Sequence, residues 1–144
     1  MDQIIMSKWA QGIFKPKNPA KYAGTRNPRY RSSWELTFMQ FCDNNPSILN
    51  WASESIKIPY RHPLTGKQTV YVPDFFILYQ DKNGKQHAEI VEIKPSSQTF
   101  LEEAKSVNNK AALIVNYAKW EAAKKWAEKN KCYFRIVTEK DMFK

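Results

Sequence analysis

The amino-acid sequence predicts one α/β domain in which helices pack on the faces of a mixed β-sheet. The chain has 144 residues, 42% of them hydrophobic and 14% aromatic, so it can bury a core without dividing into two domains. Alternating or continuously apolar segments typical of strands are interspersed with segments whose apolar residues have helical spacing. The predicted element order is α-β-β-β-α-β-α-β.

Positive charge is concentrated near the N-terminus. The formal net charge is +9, and residues 3–34 contain seven Lys or Arg and no acid. Such a block attracts phosphate backbones through charge and counterion release, although a solvated arm that only aids solubility would look similar. The candidates for nucleic-acid contact within this block are Lys15, Lys17, Lys21, Arg26, Arg29 and Arg31.

Proline and glycine argue against long regular elements before residue 32. Residues 1–31 are therefore predicted to form an extended basic arm anchored by Trp9 and Phe14, ahead of a single domain at 32–144. Ser32 and Glu35 then fit a capping box, which predicts a helix that ends near Asn45. Glu35 falls toward the apolar face of this helix, and capping or a functional role could each explain it.

A meander of three strands is predicted in the middle of the chain, and a second group of helices and strands follows it. The meander comprises a connector at 48–51, strands at 55–60, 68–79 and 87–94, and turns at 61–67 and 81–84. The second group comprises a helix at 98–107, a buried strand at 111–115, a helix at 117–130, a strand at 131–137 and a helical tail from 138.

Charged residues stand within the two apolar runs of the second hairpin, at Asp74, Glu92 and Lys94. A strict two-residue Asn83-Gly84 turn would place Asp74 opposite Ile93 and leave Glu92 on the other face of the sheet. An odd-length loop or one bulge would place Asp74 opposite Glu92, where the two carboxylates could share a cation. We predict the second register.

These residue types suit phosphodiester hydrolysis. Asp74 and Glu92 carry the hard oxygen ligands that Mg²⁺ prefers, and Lys94 lies on the same side of its strand as Glu92. An ammonium at that place could orient or deprotonate the attacking water, or hold the phosphate, and Glu35 could add a third carboxylate. Singly, each residue could be structural, but their occurrence together in one hairpin favours a functional site.

The spacing of Pro73-Asp74 and Glu92-Ile93-Lys94 resembles the PD-(D/E)XK motif of the restriction-endonuclease-like nucleases, and Glu35 matches an acidic residue that many members carry on the first helix. Within that superfamily the chain most resembles the phage head completion nucleases and TnsA-like endonuclease domains. Four segments carry this closer likeness: residues 17–22, 30–35, 71–75 and 91–95.

The resemblance implies a restriction-endonuclease-like core and a Mg²⁺- or Mn²⁺-dependent endonuclease that cleaves DNA. Asp74 and Glu92 would bind the metal together with the Ile93 carbonyl, Lys94 would act as base or phosphate-stabilising group, and Glu35 would complete the site. Gln98 is a candidate for substrate contact. For phage relatives the resemblance further implies a role in finishing the DNA-filled head, with head or portal proteins as partners, in the host cytoplasm or on the virion.

The sequence is also compatible with two other functions. The chain could be a non-catalytic nucleic-acid-binding or virion assembly protein, or an RNA-processing nuclease of similar fold, because nothing in the sequence reads out the sugar. No apolar run approaches the length of about 20 residues that spans a bilayer, and no signal peptide is evident, so we expect a soluble intracellular protein. The spacing of Cys42 and Cys132 argues against zinc and disulfides.

Overall fold

The structure is a computed structural model that describes residues 11–99 and 107–142. Its helices are α1 (Ser33–Asn44), α2 (Val107–Lys129) and α3 (Glu139–Met142), with short 3-10 turns at Pro19–Lys21 and Ser96–Gln98. Its strands are β1 (Gly12–Ile13), β2 (Arg29–Tyr30), β3 (Ile48–Ser53), β4 (Ile58–Arg61), β5 (Gln68–Tyr71), β6 (Phe75–Gln80), β7 (Gln86–Ile93) and β8 (Tyr133–Val137).

A four-stranded sheet in the order β3-β6-β7-β8 forms the centre of the fold. The first three strands pair antiparallel, and β8 runs parallel to β7. Because successive side chains of a strand point to opposite faces, Phe75 and Val91 join the core with α1, whereas Ile90 joins the core with α2. The predicted class, a mixed sheet with helices on its faces, is confirmed.

The strands β4 and β5 form a separate two-stranded hairpin outside the central sheet. Ile58, Tyr60 and Tyr71 on its inner face are buried in the same core as Leu113 and Trp120 of α2. The hairpin is thus held by side-chain packing against α2.

Two predictions about the meander are wrong. Residues 48–51 belong to a full strand, β3, that pairs with β6. The single strand predicted at 68–79 is two strands, because β5 ends at Tyr71 and β6 begins at Phe75. Pro73 between them cannot donate a ladder hydrogen bond, which accounts for the break.

The strand predicted at residues 111–115 is also wrong, because these residues lie inside α2. A short apolar run does not distinguish a strand from one turn of a buried helix, and here the helix continues to Lys129. The element order therefore differs from the predicted one. Most of the helix predicted at 98–107 lies outside the described residues.

The N-terminal segment packs along α1 and β3. Phe14 and Tyr22 lie against Trp51, with ring centroids 6.0 and 4.6 Å away. Phe14 is thus an anchor as predicted, whereas Trp9 lies outside the described residues. Within residues 11–99 and 107–142, no helix combines the length and apolar character needed to cross a membrane.

Candidate active site

The register of the β6–β7 hairpin places the two predicted carboxylates side by side. Gln80 pairs with Gln86 and Phe75 with Val91, so the intervening loop has an odd number of residues. Continuing this register by one residue sets Asp74 opposite Glu92. The predicted register is confirmed, and both residues lie at the end of the hairpin away from its turn.

Asp74 is fixed by the neighbouring strand. The Ile93 N–H donates to Asp74 Oδ2 at 2.7 Å, and the Glu54 N–H donates to the Asp74 carbonyl at 3.0 Å. Burial raises the pKa of Asp74 well above its ordinary value, and the negative charges of Glu92 and Glu35 raise it further. Three acidic groups are therefore close enough to oppose each other's ionisation.

Glu92 is buried, with 7% of its surface exposed, and is oriented by two polar groups. The Tyr71 hydroxyl donates to Glu92 Oε1 at 2.8 Å, and Lys94 Nζ lies 3.7 Å from Oε2. Burial raises the pKa of Glu92, whereas the Lys94 charge and the Tyr71 hydrogen bond oppose that rise. The structure thus joins Asp74, Glu92 and Lys94 as predicted from the motif.

Glu35 stands at the first turn of α1 and serves as part of the helix cap. Its N–H donates to Ser32 Oγ at 3.1 Å, and its Oε1 accepts from the Arg31 N–H at 3.0 Å. Burial raises its pKa, and the Arg31 hydrogen bond and charge oppose that rise. The Ser32 half of the predicted capping box is confirmed, whereas the Glu35 carboxylate accepts from Arg31, one residue before the N-cap. The Glu35 charge also acts on Asp74.

A cleft of about 370 Å³ opens beside these residues. Glu35, Ile93 and Lys94 line it together with Arg31 and Gln98, which were predicted to contact nucleic acid. The residues that line the cleft include Lys94 but neither Asp74 nor Glu92.

The donor set fits a hard divalent cation held by two carboxylates. Asp74 and Glu92 are each anchored through one oxygen by a hydrogen bond, so their orientation is set before a metal binds. Among the described residues, no group of three or more His, Cys, Asp and Glu is close enough to hold a metal. Mg²⁺ commonly takes only one or two carboxylates and keeps several waters. Direct ligation by Glu35 or by the Ile93 carbonyl stays a prediction.

The arm cations are not equally available to a ligand. Lys21 Nζ donates to the carbonyls of Asp43 and Asn45 at 3.1 and 2.8 Å, so it caps the C-terminus of α1. Arg31 forms an ion pair with Glu54, and Arg29 donates to Gln11 at 2.9 Å. Of the six arm cations, Lys15, Lys17 and Arg26 are exposed and have no side-chain hydrogen-bond or ion-pair partner among the described residues.

Sequence reasoning missed three residues at this site. Tyr71 binds Glu92, and Lys119 of α2 lies with its Nζ 5.8 Å from the Tyr71 ring centroid and lowers the pKa of Glu92. Glu54 adopts a left-handed backbone with φ of 52° while its N–H binds the Asp74 carbonyl. Only the proximity of Tyr71 to the Pro73-Asp74 motif in sequence hinted at any of them.

A mixed four-stranded sheet between helices, with a carboxylate pair and a lysine at the end of its central hairpin, defines a nuclease of the restriction-endonuclease-like class. The family model of the TnsA-like endonuclease N-terminal domain matches residues 45–139. A head completion nuclease of enterobacteria phage T4 is 35% identical over 139 residues, which cover 89% of this chain and 90% of that protein. The chain belongs to the TnsA-like endonuclease family.

Proposed function

We propose that this chain is a divalent-metal-dependent endonuclease that hydrolyses DNA phosphodiester bonds during the completion of phage heads after packaging. The observation that carries the enzymatic part is the register of β6 and β7, which aligns Asp74 with Glu92 beside Lys94. The name of the T4 relative, a head completion nuclease, supports the biological setting.

Asp74 and Glu92 are the proposed metal ligands, with the Ile93 carbonyl and Glu35 as further candidates. When bound, Mg²⁺ or Mn²⁺ would supply a more acidic water and neutralise charge on the phosphate. The protein's own contribution is to hold both carboxylates in place through the Ile93 N–H and the Tyr71 hydroxyl.

Lys94 is the proposed phosphate-stabilising group or general base. Lys94 lines the cleft and its side chain is 27% exposed, so its ammonium can reach a substrate oxygen while Glu92 keeps it oriented. Arg31 and Gln98 line the same cleft and are proposed to contact the substrate backbone. Lys15, Lys17 and Arg26 are proposed to contribute attraction at longer range.

DNA is the proposed substrate, and head or portal proteins are the proposed partners. Work on a packaged head would place the protein in the host cytoplasm during assembly, or on the virion. We propose that the chain comprises an N-terminal arm at residues 1–31 and a nuclease domain at residues 32–144.

Cleavage of supercoiled plasmid with Mg²⁺, Mn²⁺ or EDTA tests the proposal. We expect nicked or linear product with a divalent metal, none with EDTA, and a rate about 100-fold or more lower for Asp74→Asn, because a charged ligand is lost. Glu128→Gln is the matched control, because the exposed Glu128 side chain lies in the last turn of α2, outside the site, and its substitution should leave the rate unchanged.

Other outcomes separate the remaining functions. Cleavage that persists in EDTA and in Asp74→Asn would contradict this site. DNA binding without cleavage under any metal would indicate a non-catalytic binding or assembly protein. A matched panel of DNA and RNA substrates distinguishes the RNA-processing function, which requires faster cleavage of the RNA.

A further inference from the structure

The proposed metal ligands face α2. Glu92 lies two residues after Ile90 on β7, and Ile90 is buried in the core that also contains Leu113 and Trp120 of α2. Side chains two residues apart in a strand share a face, so Glu92 points to the α2 side of the sheet. Asp74 lies on the same side, because the register of the hairpin sets it opposite Glu92. The proposed reaction centre therefore lies between the end of the central hairpin and α2.

The cleft that Lys94 lines extends toward α1. Trp34 and Ile93, which also line this cleft, pack in the core with α1. Neither Asp74 nor Glu92 is among its lining residues. A phosphate held at the two carboxylates is therefore open to contacts from α2 as well as from the cleft.

Lys119 of α2 stands beside the carboxylate pair. The residue is half-buried, and its Nζ lies 5.8 Å from the centroid of the Tyr71 ring, within the range of a cation–π contact. The hydroxyl of the same ring donates to Glu92 Oε1 at 2.8 Å. Burial raises the pKa of Glu92, and the charges of Lys94 and Lys119 oppose that rise. The Lys119 ammonium is therefore close enough to the site for its charge to act there.

The Lys119 ammonium has no carboxylate partner in the part of the chain that the structure describes. It forms no ion pair and no hydrogen bond with residues 11–99 or 107–142, and it lies over the Tyr71 ring. Lys94 differs, because its Nζ lies 3.7 Å from Glu92 Oε2. The N–H donors of Lys119 are thus free to bind an anion that enters the site.

The charge of the reaction favours a cation at this place. Four carboxylates lie near the end of the hairpin, those of Glu35, Glu54, Asp74 and Glu92. Asp74 and Glu92 only balance the charge of a divalent ion, and Lys94 and Arg31 are already paired with Glu92 and Glu54. Attack by hydroxide adds a second negative charge to a phosphodiester, and preorganised donors stabilise such developing charge. The unpaired ammonium of Lys119 can supply this stabilisation.

We propose that Lys119 is a second phosphate-stabilising residue, which contacts the scissile phosphate from α2 while Lys94 contacts it from the end of β7. The inference rests on the proposed function for its substrate and its reaction. Tyr71 serves both sides of the site, because its hydroxyl binds Glu92 and its ring lies under the Lys119 ammonium.

Single-turnover cleavage of a DNA duplex in Mn²⁺ tests this role. We expect Lys119→Gln to cleave about 100-fold more slowly than the parent, the lower end of the range for the loss of one donor to a developing charge. Lys119→Arg keeps the positive charge and should recover most of the rate. Melting temperatures establish that both variants are folded.

Calorimetric titration with Mn²⁺ in the absence of DNA separates a phosphate contact from an indirect effect on the metal ligands. Removing the Lys119 charge should leave the Mn²⁺ affinity unchanged or raise it, because like charges repel. If Lys119 only supported Tyr71, its loss would instead weaken Mn²⁺ binding, because Glu92 would lose its orientation. A fall in Mn²⁺ affinity by the same factor as the cleavage rate would overturn the phosphate assignment.

The matched control is Lys129→Gln, which removes the same charge from an exposed lysine in the last turn of α2. Lys129 lies ten residues after Lys119, which corresponds to about 15 Å along the helix axis. A loss of rate in Lys119→Gln no larger than that in Lys129→Gln would also overturn the inference.

The same proteins separate this inference from the proposed function. If the parent cleaves DNA and Lys119→Gln cleaves it equally fast, the role of Lys119 fails and the nuclease assignment stands. If the parent cleaves under no metal, the enzymatic proposal fails, and binding of a fluorescent duplex in Mn²⁺ at several salt concentrations decides the contact. A slope of log affinity against log salt that is shallower by about one in Lys119→Gln supports the phosphate contact, and equal slopes overturn it.

Discussion

At the scale of single residues, the orientation of Glu92 depends on one phenol. Burial of a carboxylate is unfavourable unless hydrogen bonds replace its water, and the Tyr71 hydroxyl provides such a bond at 2.8 Å. The same burial raises the pKa of Tyr71, and so does the negative charge of Glu92, so this hydroxyl keeps its proton and remains a donor. Tyr71 is therefore a positioning residue for the proposed metal ligand.

Replacing Tyr71 with Phe should weaken Mn²⁺ binding and DNA cleavage by about 10- to 100-fold, the range typical for the loss of a hydrogen bond to a metal ligand. Calorimetric titration of the folded variant with Mn²⁺ measures the affinity without substrate. Tyr79→Phe is the control, because it removes a similar phenol-to-carboxylate bond, to Glu89 at 3.2 Å, away from the site. Equal Mn²⁺ affinity in Tyr71→Phe and the parent would show that Tyr71 does not orient the ligand.

The sequence could predict Asp74, Glu92 and Lys94 because charges inside apolar strand segments are conspicuous. It could not predict Tyr71, because a tyrosine in a strand has an ordinary structural explanation. Lys119 was equally hidden, since a lysine in a helix usually lies in solvent, and only the packing of α2 against the β4–β5 hairpin brings it near Tyr71.

At the scale of elements, the register of one hairpin decides whether a site exists. Asp81 accepts from the N–H groups of Asn83 and Lys85 through one oxygen, at 2.8 and 2.9 Å, and these bonds stabilise the odd-length loop. A strict two-residue turn would have moved Glu92 to the opposite face. The functional requirement selected the correct register where the local turn signal alone favoured the other.

Element predictions failed where local patterns were ambiguous. The run Ala111–Val115 is short and apolar, which suits a buried strand or a buried helical turn, and only the neighbouring core decides between them. In the structure Leu113 packs with Ile58 and Tyr60 of the β4–β5 hairpin, so the segment continues α2. The sequence analysis placed the strands of that hairpin in the central meander, and the structure shows that they form a separate sheet. Alternation in the sequence identifies strands but not which strands pair.

The attachment of the N-terminal segment depends on a buried carboxylate at the end of α1. Asp43 is 2% exposed and accepts from the N–H groups of Lys17 and Asn18 at 2.8 and 3.0 Å. We expect Asp43→Asn to lower the free energy of unfolding by about 2 kcal/mol. One of the two backbone N–H groups would then face the NH₂ of the Asn side chain, which cannot accept a hydrogen bond. Urea denaturation measures the change.

Asp81→Asn is the matched control for Asp43, since Asp81 also accepts two backbone N–H bonds but lies at an exposed turn. Both of these bonds end on one Asp81 oxygen, and an Asn side chain keeps one such acceptor, so the destabilisation should be smaller. If Asp43→Asn lowers the free energy of unfolding no more than Asp81→Asn does, the hydrogen bonds to Asp43 do not hold the N-terminal segment in place.

At the scale of the whole molecule, the charge gathered at the site is opposite in sign to the net charge of the chain. The chain carries a formal charge of +9, yet the end of the central hairpin gathers four carboxylates. Folding without metal must bring Asp74 and Glu92 together, which opposes stability when both are ionised. A site of this kind stores an unfavourable interaction that binding of a cation relieves.

This distribution sets the pH dependence of stability in EDTA. The folded pKa of Asp74 lies well above its ordinary 3.8, so the folded protein retains a proton that the unfolded chain has released. Stability contributed by that proton is full below about pH 4 and is lost as pH rises through the folded pKa. Asp81 and Glu139 have lowered pKa values and act in the opposite direction, but their effect is complete in mild acid.

Replacing Asp74 with Asn should therefore flatten the decline in the free energy of unfolding between about pH 4 and the raised folded pKa of Asp74, so that the variant gains stability relative to the parent as pH rises. The difference between the two proteins should grow by up to about 1.4 kcal/mol per pH unit, the value for one proton. Urea denaturation across this range in EDTA measures the free energy of unfolding, with a Glu121→Gln variant, at an exposed position, as control.

Mn²⁺ should raise the stability of the parent most strongly at high pH, since ligation requires ionised carboxylates. Parallel curves for the parent and Asp74→Asn would show that Asp74 ionises as freely in the folded chain as in the unfolded one, and the strain attributed to the carboxylate pair would then be absent.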